Sequence, residues 1–270
     1  MSKKSRPLWF RLIRGLVVVY AGLCVFSCTL SDSLIFMPQR PSYAASATGL
    51  IRLETSKAKS IAAFHFPATA GKPTVLFSHG NAEDIGGSLP LYQQWRALGW
   101  GVLAYDYPGY GHSSGRPSES SCERAIDAAW KYLTENQGVR PADILIVGRS
   151  VGSGPSVWLA DRVEPAGLVL ISPFTSTFAV RAPAHLVLPG DRFPNLKRIR
   201  GIDHPLLVIH GEDDFLIPPS HGRDLVNASP AALKRFVGVP NAGHNDLGGS
   251  DIVAATRKFV REIHSLGAQD

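Results

Sequence analysis

Asp-Ile-Leu-Ile-Val-Gly-Arg-Ser-Val-Gly-Ser-Gly, residues 143–154, joins a short apolar run to a serine that stands between two glycines. The run favours a β-strand, and a helix can begin directly after the second glycine. That order of strand, sharp turn and helix is the order of a nucleophile elbow. Gly148 and Gly152 leave room for the turn because neither has a Cβ atom. We therefore take Ser150 as a candidate nucleophile, although this pentapeptide also arises by chance in roughly one chain of this length in ten.

The chain around this stretch alternates apolar runs with helical stretches, which is typical of an α/β fold. The strand candidates are residues 74–79, 102–106, 144–147, 168–171, 206–210 and 235–239, and the helix candidates are residues 89–98, 121–135, 151–162, 219–228 and 251–266. The strand candidates are almost continuously apolar, so we expect a mostly parallel central sheet with helices on both faces. Two alternating runs, at 50–55 and 61–66, predict an antiparallel hairpin at one edge. At 270 residues, the chain suits a single domain of this kind, which we place at residues 34–270.

Residues 1–33 form a basic and then apolar segment that we expect to act in targeting or anchoring. Five basic residues, Lys3, Lys4, Arg6, Arg11 and Arg14, precede an uncharged run at residues 15–30. Sixteen helical residues span about 24 Å, which is short for a hydrocarbon core of about 30 Å. A signal peptide, a short uncleaved anchor and a lipoprotein modified at Cys28 all fit the segment, whereas a buried helix fits poorly beside five positive charges. Positive charge stays on the cytoplasmic side of a membrane, so we expect a membrane-associated protein with an extracytoplasmic domain, or a secreted or lipoprotein form.

The charge balance of the domain argues against nucleic acid as a partner. Without the five amino-terminal basic residues, the chain has 23 basic and 22 acidic residues, so the domain is close to neutral. A nucleic-acid-binding domain would carry its basic residues on the folded body. Cys122 is the only cysteine beyond the first 33 residues, so the domain has no internal disulfide, and we expect a structural thiol.

A serine nucleophile requires a general base and a carboxylate that orients the base. Three acids at residues 212–214 directly follow a strand candidate, and His244 follows the last strand candidate in a glycine-histidine loop. Loops beyond the carboxyl ends of parallel strands converge on one crevice, so Ser150 can meet groups from far along the chain. We favour Asp214 as the acid, with Asp213 as the alternative, and we predict His244 as the base.

The oxyanion that forms during attack on a carbonyl group needs hydrogen-bond donors. The first expected donor is the backbone N–H of Val151, which follows the nucleophile at the start of a helix. Ser-His-Gly-Asn-Ala at residues 78–82 ends the first parallel strand, and its glycine allows the backbone a close approach. We predict the N–H of Asn81 as the second donor, with Ala82 as the alternative, and we interpret His79 as a structural hydrogen-bonding residue.

These stretches together resemble the α/β-hydrolase superfamily. The motifs that carry the resemblance are Ser-His-Gly-Asn-Ala at 78–82, Tyr-Asp-Tyr-Pro-Gly-Tyr-Gly at 105–111, Gly-Arg-Ser-Val-Gly-Ser-Gly-Pro at 148–155, Ser-Pro-Phe-Thr-Ser at 172–176, His-Gly-x-x-Asp at 210–214 and Gly-His-Asn at 243–245. The branch that looks most similar is membrane-associated and contains protein depalmitoylase-like, serine aminopeptidase-like and monoacylglycerol-lipase-like hydrolases. The resemblance covers residues 34–270. It implies Asp214 rather than Asp213 as the acid, and it implies that residues 105–111 shape a scaffold loop.

The residues and the resemblance together predict a serine hydrolase that works through an acyl-enzyme and needs no cofactor and no metal. We expect its substrate to be an ester or thioester of an acyl group, on a small molecule, a lipid or an acylated protein. The short interval at residues 175–204 predicts a small lid over an open, partly apolar cleft. A serine aminopeptidase-like peptidase and a catalytically inactive hydrolase-fold binding protein are the alternatives. The sequence contains no zinc motif, phosphate loop or dinucleotide fingerprint.

Overall fold

An eight-stranded sheet forms the centre of the computed structural model, which describes residues 7–56, 59–180 and 189–267. The strands are β1 (Leu50–Ser56), β2 (Lys59–Phe66), β3 (Thr74–Ser78), β4 (Gly101–Tyr105), β5 (Ile144–Arg149), β6 (Gly167–Ile171), β7 (Leu206–Gly211) and β8 (Lys234–Val239). The helices are α1 (Leu8–Ile35), α2 (Leu89–Ala97), α3 (Glu119–Lys131), α4 (Ser153–Ala160), α5 (Asn195–Arg198), α6 (Pro219–Ala228) and α7 (Gly249–Gly267).

The strand order across the sheet is β1-β2-β4-β3-β5-β6-β7-β8. β2 is antiparallel to both β1 and β4, and the other neighbouring strands are parallel. The mostly parallel sheet and the antiparallel hairpin at its edge are therefore confirmed. Because the parallel strands point the same way, the loops after β3, β5, β7 and β8 leave from one edge. Those four loops carry the predicted site residues.

Most elements differ from the predicted ranges by one to four residues at their ends, and β5 and α3 are two examples. β5 continues to Arg149, so the turn at Ser150 begins without an intervening loop. α3 begins at Glu119, two residues earlier than predicted. The cause is a cap: the Ser118 hydroxyl accepts a hydrogen bond from the N–H of Ser121 and satisfies a donor that the first turn leaves unpaired.

Alternate residues of the strands face opposite sides of the sheet and build two cores. Leu76 and Ile146 pack with buried residues of α3, α4 and α6. Val75 and Val147 pack with buried residues of α2 and α7. Helices therefore cover both faces, as the continuous apolar runs predicted. Cys122 of α3 is buried in the first core, and burial raises the pKa of its thiol, which fits a structural role.

Among the described residues, α1 is the one helix that is long and apolar enough to cross a membrane. Its 20-residue span, Leu8–Ser27, has a mean hydropathy of 1.8, and its length of about 30 Å matches the hydrocarbon core of a bilayer. The span is longer than the uncharged run at 15–30 because the helix begins earlier and takes in Arg11 and Arg14. α1 then continues to Ile35, so it passes through the expected end of the targeting segment without a break.

The segment expected to form a lid, residues 175–204, is described in part. Residues 178–180 form one turn of 3-10 helix, and α5 lies towards the end of the segment. Residues 181–188 lie outside the described residues. The division of the chain into a targeting segment and one domain with a small lid stays a prediction.

Candidate active site

Ser150 lies at the apex of the turn between β5 and α4. Its φ angle of 52° is in the left-handed region that residues with a side chain rarely occupy, and such strain is often found at functional sites. A Cβ atom on Gly148 would lie 2.5 Å from the carbonyl oxygen of Gly152, and one on Gly152 would lie within 3.0 Å of that of Ser78. Both glycines therefore have the steric role that the sequence predicted.

The structure brings Ser150, His244 and Asp214 together from three loops at one edge of the sheet. Nε2 of His244 lies 2.9 Å from Oγ of Ser150, and Nδ1 lies 2.7 Å from Oδ2 of Asp214. The serine follows β5, the carboxylate follows β7 and the histidine follows β8. These distances are those of hydrogen bonds, so the histidine links the serine to the carboxylate. A nucleophile, its base and an orienting acid require this arrangement.

Asp214 is the acid that contacts the histidine. Its side chain is buried, and Oδ1 accepts hydrogen bonds from the N–H groups of Leu216 (3.0 Å) and Ile217 (2.8 Å). Two amide donors fix the orientation of the carboxylate. Glu212 and Asp213 are exposed on the same loop, so the alternative acid faces solvent.

A second histidine, His210, contacts the same carboxylate and was not anticipated from the sequence. It is fully buried at the end of β7, and its Nε2 lies 2.8 Å from the carbonyl oxygen of Ile217 and 3.3 Å from Oδ2 of Asp214. Burial lowers the pKa of His210, so the ring is neutral near pH 7 and donates from Nε2. The space beside Nδ1 is closed, because a Cβ atom on Gly222 would lie 2.8 Å from it. The feature of the sequence that could have indicated this contact is the position of His210, four residues before Asp214.

The loop after β3 brings Asn81 to the same cleft as Ser150. Asn81 and Val151 both line the cleft that contains Ser150. The Asn81 side chain is tied to the carboxyl end of α1: Nδ2 donates to the carbonyl oxygen of Ile35 (2.5 Å), and Oδ1 accepts from the N–H of Met37 (2.9 Å). The structure therefore places both residues that were predicted to supply oxyanion donors at the cleft.

His79 and Tyr107 belong to the scaffold beneath this loop. His79 is fully buried, with Nδ1 2.7 Å from the carbonyl oxygen of Gly80 and Nε2 3.5 Å from Oδ1 of Asp106. The Tyr107 hydroxyl donates to the carbonyl oxygen of His79 at 2.6 Å. Asp106 is buried as well, and burial raises the pKa of its carboxyl group. These contacts give His79 the structural role that the sequence suggested.

A largely apolar cleft of about 970 Å³ contains Ser150 and His244. Its volume is at the upper end of the range of about 300–1,000 Å³ for small-molecule sites. Phe178 and Val180, from the segment predicted as a lid, form part of the lining. A second wall was not predicted and belongs to α1; its residues are Leu23, Phe26, Ser27, Ser31, Leu34 and Ile35. Their spacing of three or four residues marks one face of the helix, which was the available signal.

A charged pair in the cleft was also missed by the sequence analysis. Nη1 of Arg149 lies 3.6 Å from Oε2 of Glu83, and the two side chains are 20% and 22% exposed. Oε1 of Glu83 accepts a hydrogen bond from the N–H of Gly80 (2.5 Å), so Glu83 joins the loop after β3 to Arg149, the residue before Ser150. In the described part of the chain, no group of three or more His, Cys, Asp or Glu side chains is placed to hold a metal ion.

Comparisons with known proteins identify relatives along the whole chain. A family model described as serine aminopeptidase, S33, matches residues 69–197. Uncharacterized protein Rv2307c of Mycobacterium tuberculosis is 35% identical, and the alignment covers 98% of this chain and 99% of that protein. Alpha/beta hydrolase domain-containing protein 17B of Xenopus laevis is 42% identical over 180 residues, which are 66% of this chain and 62% of the frog protein.

Two solved structures are similar to the chain in fold. The Pyrococcus furiosus esterase Pf2001 has a TM-score of 0.68 and 16% identity, covering 84% of this chain and 98% of that one. The monoacylglycerol lipase of Paleococcus ferrophilus has a TM-score of 0.59 and 19% identity, covering 75% of this chain and 99% of that one. At such identities the likeness establishes the fold alone. By its sequence relatives and its fold, the chain belongs to the α/β-hydrolase superfamily.

Proposed function

We propose that this hydrolase uses Ser150 as a nucleophile and forms an acyl-enzyme on it. The observation that carries the proposal is the hydrogen-bond chain in which His244 links Oγ of Ser150 (2.9 Å) to the Asp214 carboxylate (2.7 Å). His244 accepts the hydroxyl proton at Nε2 while Oγ attacks the acyl carbon. Asp214 accepts a hydrogen bond from Nδ1–H and so keeps the ring in the required tautomer. His210, neutral and buried, helps to hold the carboxylate in place.

Attack on the acyl carbon produces a tetrahedral oxyanion. The backbone N–H groups of Val151 and Asn81 stabilise this oxyanion, with Ala82, which also lines the cleft, as the alternative to Asn81. Collapse of the intermediate breaks the bond to the leaving alkoxide or thiolate, which takes the proton from Nε2 of His244. Water then attacks the acyl carbon of the acyl-enzyme while Nε2 of His244 accepts its proton. Collapse of this second intermediate breaks the bond to Oγ of Ser150, which takes the proton from His244, and the carboxylic acid leaves.

The substrate that fits this cleft best is an ester or thioester of an apolar acyl group. Apolar side chains from α1 and from residues 174–180 line the cleft that contains Ser150, and such a lining stabilises a hydrocarbon chain by removing it from water. An esterase and a monoacylglycerol lipase share this fold, so the fold is compatible with ester chemistry. The acyl group can belong to a small molecule, a lipid or an acylated protein.

Peptide-bond hydrolysis is the second candidate, and the description of the matching family as a serine aminopeptidase favours it. An aminopeptidase needs a carboxylate to hold the free amino group of its substrate. Among the described residues that line the cleft, Glu83 is the only acid, and it is already paired with Arg149 and with the N–H of Gly80. This pairing leaves little negative charge for an amine, so we rank the ester above the peptide. An inactive binding protein is the third candidate, from another class.

We also propose that α1 anchors the enzyme in a membrane, with the hydrolase domain on the extracytoplasmic side. The span at Leu8–Ser27 has the length and composition of a transmembrane helix, and its basic residues lie at the amino end, which stays in the cytoplasm. The side chain of Cys28, the candidate lipidation site, lies outside the described residues. The mass of the mature protein separates the forms: a retained anchor keeps residue 8, whereas a signal peptide or lipoprotein loses it.

Labelling with an ethyl fluorophosphonate tests the serine mechanism. Ser150 should displace fluoride and form a stable bond to phosphorus, and Ser150→Ala should not react. The same variant should lower kcat by on the order of 10⁶-fold while the protein remains folded. Equal labelling of wild type and variant would refute the assignment.

A panel of acyl esters, acyl thioesters and aminoacyl amides then separates the substrate classes. We expect the highest kcat/KM for long-chain esters or thioesters. A higher kcat/KM for aminoacyl amides would establish the peptidase instead. Absence of turnover on every substrate, without labelling of Ser150, would refute the serine hydrolase and leave the binding protein as the remaining candidate.

A further inference from the structure

The candidate membrane span and one wall of the active-site cleft are parts of the same helix. Leu23 and Phe26 lie within the span Leu8–Ser27, and both line the cleft that contains Ser150. Ser31 and Leu34 continue the wall along the same face of α1. A helix that only anchored the protein would not need to enter the lining of the cleft.

This wall is fixed to the domain by several contacts. Oγ of Ser27 donates to the carbonyl oxygen of Pro189 (2.6 Å), and Asp32 pairs with Nε of Arg192 at 3.0 Å. The carboxyl end of α1 is held by Asn81, whose amide donates to the last carbonyl oxygen of the helix. Because Asn81 also belongs to the predicted oxyanion loop, the position of α1 is coupled to the position of the donors.

The rim of the cleft is apolar and exposed. On α1, Leu23, Phe26 and Leu34 are 49%, 53% and 67% exposed, and Leu216, which also lines the cleft, is 45% exposed. Phe215, between this leucine and the candidate acid, is 94% exposed. Contiguous exposed apolar side chains on a soluble surface are unfavourable and are typical of a membrane-binding surface. These side chains continue from a helix that is itself suited to lipid, so a bilayer is the surface that would cover them.

We propose that the cleft is loaded from the bilayer: the acyl chain of a membrane-resident substrate moves from the hydrocarbon core along the Leu23, Phe26 and Leu34 face of α1 until its carbonyl carbon reaches Ser150. This inference rests on the proposed serine hydrolase function. It adds the route by which the substrate reaches Ser150 and the residues that select the length of its acyl chain. The chain stays in apolar surroundings throughout, so it never crosses water. Leu23, Phe26 and Leu34 are then specificity-determining residues for long acyl chains.

A trapped substrate analogue locates the chain directly. The full-length protein in phosphatidylcholine vesicles is treated with a hexadecyl fluorophosphonate that carries a diazirine at the far end of its chain. Oγ of Ser150 displaces fluoride, and light then joins the chain end to its nearest neighbour. We expect the crosslink on the α1 peptide that contains residues 23–34. A crosslink confined to residues outside α1 would overturn the route.

The same experiment separates the two proposals. If neither the hexadecyl nor the ethyl fluorophosphonate modifies Ser150, the serine mechanism itself is wrong. If both reagents modify Ser150 but the end of the hexadecyl chain is crosslinked outside α1, the serine mechanism stands and the proposed route is wrong.

A pair of tryptophan substitutions provides an independent measurement. Leu23→Trp narrows the lining face of α1, whereas Val25→Trp adds the same bulk about 200° around the helix, at a position outside the cleft lining. The readout is the ratio of kcat/KM for a long-chain ester in vesicles to kcat/KM for a short-chain ester. We expect Leu23→Trp to lower this ratio by about tenfold, the scale on which an apolar pocket distinguishes chains, and Val25→Trp to keep the wild-type ratio. Equal ratios in the two variants would overturn the proposal.

Discussion

On the nucleophile side of the cleft, Cβ atoms have no space at Gly148 and Gly152, and Asp214 has a hydrogen-bond partner for each oxygen. On the α1 side, the lining residue Leu23 is half exposed, and a Cβ atom at its neighbour Gly22, which lies outside the lining, meets nothing within 4 Å. On the first side, steric limits and hydrogen bonds restrict each position to a few residue types. The second side needs only apolar surface in a helix. Substitutions should therefore have large effects on chemistry on the first side and graded effects on substrate choice on the second.

After the loss of Ser150 itself, the largest effect on kcat is expected for Asp214→Asn. The new amide group can donate to Nδ1 of His244 and so favours the tautomer that cannot accept the proton of Ser150. We expect kcat to fall by about 10⁴-fold with little change in folding. The control is Asp213→Asn, at the exposed neighbouring acid, which should keep kcat within about twofold of wild type. Loss of activity in the control alone would show that the acids are wrongly assigned.

Gly152→Ala tests the steric requirement of the elbow. The added methyl group would lie within 3.0 Å of the carbonyl oxygens of Ser78 and His79, so the backbone has to move. We expect about 1–3 kcal/mol of lost stability and a fall in kcat of about 10²-fold, because a shift of the nucleophile by a fraction of an ångström is enough for that loss.

Gly22→Ala is the matched change on the α1 side. It places the same methyl group where nothing lies within 4 Å, and alanine favours a helix over glycine. Its melting temperature should equal or exceed that of wild type, and its kcat should stay within about twofold. If both alanine variants behave alike in melting and turnover measurements, the contrast between the two sides of the cleft is wrong.

The two sides also differ in how far the sequence alone could describe them. The meeting of Ser150 and His244 could be predicted because each follows a strand, and the order of strands along the chain places their loops at one edge of the sheet. Asp214 needed the resemblance to separate it from Asp213, since the two neighbours differ only in which one the turn buries. The strands and the hairpin followed from apolar periodicity.

The α1 wall could not be predicted in the same way. An apolar helix in lipid and an apolar helix that packs on a domain use the same residue types, so composition does not distinguish them. What attaches α1 to the domain is a set of contacts over long sequence distances, such as Asp32 with Arg192 and Ile35 with Asn81. Neither residue of such a pair lies in a local sequence pattern that would predict its partner. His210 and Asp214 are only four residues apart in the sequence. The role of His210 nevertheless depends on its burial, which is seen only in the folded chain.

A small effect on stability is expected from the buried histidine behind Asp214, and it depends on pH. Burial lowers the pKa of His210 in the folded protein, whereas in the unfolded chain its pKa is about 6.5. Below that pH the unfolded chain binds a proton that the folded protein resists, so the free energy of unfolding falls as the pH drops from about 7 towards 5. His210→Gln removes this proton uptake and retains an amide that can donate to the carbonyl oxygen of Ile217.

The decrease in melting temperature between about pH 7 and pH 5 should therefore be smaller in His210→Gln than in wild type, by an amount equivalent to at most about 1.4 kcal/mol per pH unit. His264→Gln, at an exposed position of α7, is the control and should follow the wild-type profile. If the melting temperature of His210→Gln fell more steeply with decreasing pH than that of the control, the buried ring of His210 would be protonated in the wild-type protein and paired with the Asp214 carboxylate. In that case the support for Asp214 on the nucleophile side would be ionic rather than a neutral hydrogen bond, and substitution of His210 would lower kcat at neutral pH as well.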